Sequence, residues 1–174
     1  LSEMEDFWPQ ALGSFILAKE AGFDIAFARA EGELPDAKFY ILPSGKGWGT
    51  YSRKTWDELV ARVKKGATLL VSRGFETGYI DWPEITGLEQ TTYRKWRKES
   101  FEFEGRKMSF ADSYTAEQKP IDCEVVAKDS SGNVVVSLKR LGKGKRRIVI
   151  IFRLVGNYLC EVSKSDHVGT KCRR

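Results

Sequence analysis

From Lys38 to Phe75 the chain alternates apolar runs with polar breaks in an order that predicts strand, loop, helix and strand. Phe39-Tyr40-Ile41-Leu42 is an unbroken apolar run closed by Pro43 and Ser44, the pattern of a strand buried on both faces. Gly45, Gly47 and Gly49 then break the run. Ser52 is placed to cap a helix in which Trp56, Leu59, Val60 and Val63 fall at i, i+3, i+4 and i+7, one stripe turned to a core. Lys64 and Lys65 suit the negative end of that helix, and Gly66 stands where a left-handed C-terminal cap is needed. A second apolar run, Ala67 to Ser72, follows at once and ends in Arg73-Gly74. The unit is a β-α-β crossover, which favours parallel pairing and a right-handed connection.

On either side of this unit the pattern is of two kinds. Ala11 to Ala21 has Leu12, Phe15 and Ile16 on one side and Gly22 as a stop signal, which predicts a helix. Asp24 to Ala30 alternates Ile25 and Phe27 with small residues and predicts a strand, so that the first half forms an α/β sheet of at least three adjacent strands. Phe75 to Gly87 reads as a loop or lid. Thr92 to Lys98 combines Tyr93, Trp96 and four basic residues without a helical stripe. From Phe101 the period is two: Phe101 and Phe103, Gly105-Arg106, then Met108 and Phe110 predict a hairpin. Asp122 to Lys128 and Val134 to Lys139 flank Asp129-Ser130-Ser131-Gly132-Asn133, a second hairpin with strong turn chemistry. Ile148 to Phe152 predicts a last buried strand. The expected organisation is a single domain with an α/β half (1–90), a β-rich half (91–162) and a solvated tail (163–174).

Composition narrows the class. With 174 residues, 41% hydrophobic and 30% charged, the chain has the make-up of a globular domain with a real core. No apolar run approaches the roughly 20 residues that span a bilayer, and no membrane partner is expected. The first residue is Leu, so the chain is expected to begin inside a longer one. Net charge is only +5, and the basic segment Lys139, Arg140, Lys143, Lys145, Arg146 and Arg147 reads as a turn flanked by basic strand ends, so no nucleic acid is expected. Cys123, Cys160 and Cys172 are odd in number and lack metal-ligand spacing, which argues against a zinc knuckle and favours a reducing, cytoplasmic setting, with export of a longer parent as the alternative. No metal or cofactor is expected. His167 is the single histidine and lies in the polar tail, a poor base for a hydrolase.

Three groups of residues carry candidate chemistry. Ser72-Arg73-Gly74 stands where many α/β hydrolases place a nucleophile, but position 70 of the G-x-S-x-G pattern is Leu and no base is at hand. The alternative is a serine that ends a strand and bonds a nearby backbone group. The loop Ser44 to Thr50 has its lysine too early for a P-loop, and its Trp48 suits a contact with a sugar ring or a neighbouring domain. Glu76, Asp81 and Glu84 are the only carboxylates clustered closely enough to form a glycosidase pair, against the commoner solvated acidic loop. Trp48, Tyr51, Arg73, Phe75, Glu76, Asp81 and Trp82 are together the candidate sugar or domain contacts, while Trp56 belongs to the helix stripe and the core.

The run SFILAKEAGFDIAFARAEGELPDAKFYILPS, followed by SRKTWDELVARVKKGATLLVSRG, resembles the amidotransferase-like domain that follows the catalytic barrel in bacterial β-galactosidases and related glycoside hydrolases. The shared features are a helix ending in Ala21-Gly22 before Asp24-Ile25, a strand ending Leu42-Pro43-Ser44, and Val63 to Ser72 with Gly66-Ala67-Thr68-Leu69-Leu70. Val134 to Lys145 is similar to the late strand and Gly-Lys-Gly turn of that domain. The resemblance covers about residues 12 to 152; the hairpin from Asp122 to Lys139 is longer than the family minimum, and the chain after Phe152 matches nothing in it. It implies a flavodoxin-like, class I glutamine amidotransferase-like parallel sheet with a β-rich C-terminal half, and no amidotransferase activity, because Ser72 stands where active members carry cysteine. It also implies a non-catalytic accessory domain whose partners are the catalytic barrel or sister subunits, and which lines the mouth of a barrel absent from this chain. The alternatives are a stand-alone serine hydrolase using Ser72 and a carbohydrate-binding module using exposed tryptophans.

Overall fold

The structure, a computed structural model, describes residues 7–29, 31–43, 52–73, 82–103, 105–141 and 147–152. Its elements in chain order are α1 (Phe7–Glu20), β1 (Phe39–Leu42), α2 (Arg53–Lys65), β2 (Thr68–Arg73), α3 (Trp82–Thr86), β3 (Leu88–Phe103), β4 (Arg106–Pro120), β5 (Glu124–Lys128), β6 (Val134–Arg140) and β7 (Arg147–Phe152).

The crossover forms as its residues dictate. Ser52 accepts the Thr55 amide at 3.2 Å and starts α2, and Gly66 ends it at φ 124° with its amide turned back on the Val63 carbonyl. The stripe Trp56, Leu59, Val60 and Val63 is buried, with Trp56 and Val63 wholly inaccessible. β1 and β2 pair in parallel, Phe39 against Thr68 through Leu42 against Val71. β7 joins the other side of β2, also parallel, and β6 and β5 follow antiparallel, giving one mixed sheet in the order β1-β2-β7-β6-β5. The segment before β1 is pinned to α2: Arg62 reaches Asp36 at 3.1 Å and the Leu34 carbonyl at 3.4 Å, while the Tyr40 hydroxyl donates to the Pro35 carbonyl at 2.8 Å.

Two expectations are corrected. Asp24 to Arg29 has no regular secondary structure and pairs with no strand among the described residues; Ala30 lies outside them. The end of the expected loop Phe75 to Gly87 is instead the short helix α3, which carries Trp82 into the core. There Trp82 is 3% exposed and stacks on Trp56, ring centroids 5.7 Å apart. It is therefore a core residue of this chain, not an exposed platform.

β3 and β4 make a separate two-stranded ribbon. Gly105, at φ 75°, turns the hairpin that the sequence predicts, with Phe101 opposite Met108 and Phe103 opposite Arg106. The strands run much further back than the pattern shows, to Leu88 and Pro120. At its base, Leu88 is buried in the main core with Trp56, Trp82 and Leu69. At its tip, Phe101 packs with Ala127, Val135 and Val136 and bridges to Asp129. Leu88 to Phe101, fully extended, would span about 43 Å, whereas β5, whose two ends lie near base and tip, covers less than about 20 Å. The ribbon therefore bends, and three register irregularities between Gln90 and Glu99 supply the bending.

The base of the ribbon rests on one close approach. Gly87 sits at φ 71°, its carbonyl accepts the Ile121 and Asp122 amides at 2.8 and 3.2 Å, and a Cβ there would lie 2.1 Å from the Asp122 carbonyl oxygen. Gly132, at φ 86° in the β5–β6 turn, has open space around it. Gly87→Ala is expected to cost about 2–4 kcal/mol from backbone clash and strain together, against about 1 kcal/mol for Gly132→Ala. Equilibrium urea unfolding of the two variants measures the difference.

Candidate functional site at the carboxyl edge of the parallel strands

Open α/β sheets bind ligands outside the carboxyl ends of their parallel strands. Here β1, β2 and β7 reach that edge at Leu42, Arg73 and Phe152. β1 stops opposite Val71, so Ser72 and Arg73 extend beyond it and, among the described residues, are paired only with Ile151 and Phe152 of β7. Ser72 thus stands within a ladder and not on a strand-to-helix turn. Of the other candidates, Trp48, Tyr51, Phe75, Glu76 and Asp81 lie outside the described residues, Trp82 is buried, and Glu84 is exposed on α3.

The antiparallel strands bring a turn to the same edge. Val136 lies opposite Ile151, so the β5–β6 turn sits beside the end of β7. Asp129 anchors that turn. It is buried, and its carboxylate accepts the Ser131 and Asn133 amides at 2.8 Å each and the Asn133 side-chain amide at 2.9 Å. Those bonds use both oxygens for the turn itself, the local bonding that Asp favours in such loops. The Ser130 amide donates to the Ser100 carbonyl at 3.0 Å and ties the ribbon tip to the same place.

Beside the start of α2 is a cleft of about 150 Å³ lined by Glu31, Gly32, Ser52, Lys54, Thr55 and Glu58. Ligand pockets for molecules of drug size run to about 300–1,000 Å³, so this cleft suits a few waters and not a sugar ring. Among the described residues no three His, Cys, Asp or Glu side chains gather as a metal site, and no helix is long and apolar enough to cross a membrane.

At the opposite end of β5 and β6, Cys123 is half-buried beside Ser137, Asp122 and Lys139. Burial is the largest influence on its thiol and raises its pKa, Asp122 adds to the rise, and Lys139 and the Ser137 hydroxyl oppose it. The net direction is upward, which makes Cys123 a poor nucleophile at neutral pH. Lys139 is ion-paired with Asp122, and Arg140 approaches Glu124 at 3.7 Å, so part of the basic segment at Lys139–Arg147 is answered by carboxylates before and at the start of β5. No signal in the sequence marked this group, because the pairings cross strands.

No protein-family model matches the chain, and no curated protein matches it in sequence. Solved structures do. An exo-β-1,4-mannosidase from Opitutaceae bacterium strain TAV5 superposes with a TM-score of 0.76 at 15% identity, over 92% of this chain and 29% of that one. The chain shares the fold of a segment of that mannosidase and spans less than a third of its length. A GH42 β-galactosidase from G. stearothermophilus gives a TM-score of 0.47 at 16% identity, over 75% of this chain and 22% of that one. The cold-adapted β-galactosidase from Rahnella sp. R3 gives 0.49 at 11% identity, over 80% and 24%. The two galactosidases superpose too loosely to define a shared fold.

Iodoacetamide should alkylate Cys123 more slowly than a free cysteine at pH 7.5, with the rate still climbing above pH 9. Because the folded state holds the neutral thiol, the stability this contributes is present below the unfolded thiol pKa and is lost as pH rises through the folded value. Mass spectrometry of the peptide containing Cys123 follows the alkylation, and a rate above that of free cysteine at pH 7.5 would contradict it.

Proposed function

We propose that this chain is a non-catalytic accessory domain of a glycoside hydrolase, of the amidotransferase-like, flavodoxin-like class. Its work is to make interdomain or subunit contacts and to line the active-site mouth of a catalytic domain carried elsewhere. The observation that carries this reading is the superposition of nearly the whole chain on a minor segment of an exo-β-1,4-mannosidase. A fold shared at 15% identity does not transfer an activity, so the hydrolase context remains part of the proposal.

Three features support it. The carboxyl edge, where a doubly wound sheet would hold a ligand, is occupied in part by the Asp129 turn and the ribbon tip. Ser72 is held in the β2–β7 ladder. Large apolar side chains are exposed, Leu12, Phe23 and Phe27 among them, as a domain that meets a neighbour would have them. The carbohydrate-binding alternative is weakened by the burial of Trp82 and Trp56.

The purified chain is expected to hydrolyse neither p-nitrophenyl β-mannoside nor p-nitrophenyl β-galactoside. The longer protein that contains it is expected to lose oligomeric order or thermal stability when this segment is deleted, as read by light scattering and calorimetry. Turnover by the isolated chain that disappears in Ser72→Ala would overturn the proposal in favour of a serine hydrolase.

A further inference from the structure

We draw no further inference here: the strongest candidate, the apolar surface patch of Leu12 on α1 with Phe23 and Phe27 after its end, belongs to the contact surface already proposed, and nothing in the structure shows what covers it.

Discussion

The packing of α2 across β1 and β2 is the interaction from which the rest of this structure hangs. A helix of 13 residues is marginal on its own, and α2 exists because Trp56, Leu59, Val60 and Val63 are buried against Leu69 and Val71. Each such side chain contributes about 1.5–3 kcal/mol by leaving water. The indole of Trp56 then does a second task. By stacking on Trp82 it fixes α3, α3 fixes Gly87, and Gly87 sets the base of the ribbon against Asp122. One buried aromatic pair thus couples the crossover to the β-rich half, whose first strand follows a five-residue helix.

The mixed sheet makes the two halves unequal in what they offer. β1, β2 and β7 run parallel and share a carboxyl edge, while β6 and β5 run the other way and deliver a tight turn to it. Asp129 is the buried carboxylate described at that edge, and its oxygens already hold three donors. The ribbon tip, bonded to the same turn, reinforces it. The edge that the parallel strands open is therefore, at the β7 end, taken up with structure.

How much of this was legible in the sequence depends on how local each determinant is. The cap at Ser52, the stripe from Trp56 to Val63 and the stop at Gly66 lie within one helix, and the structure has all of them. The turns at Gly105 and Asp129–Asn133 are equally local and were equally plain. Trp82 was misplaced because nothing in its own neighbours tells of Trp56, 26 residues earlier and 5.7 Å away. The reach of β3 back to Leu88 was hidden because a bent ribbon with three register irregularities does not keep a period of two. Gly87 looked like one more loop glycine, since the Asp122 carbonyl that demands it belongs to a distant segment. Most of the candidate contacts fall in residues outside those described, and for these the sequence still stands alone.

The two edges of the sheet are built on different terms. β5 has Glu124 and Lys128 at its ends, irregular register with β6, and a bridge from Phe101 at its last turn. Charge, bulge and cover are the three devices by which proteins keep an edge from pairing with another chain. β1 has no charged residue within it and a regular register with β2, and no strand covers its other side among the described residues. The burial that β1 has comes from its pairing with β2 and from α2 packed with Tyr40 in the main core.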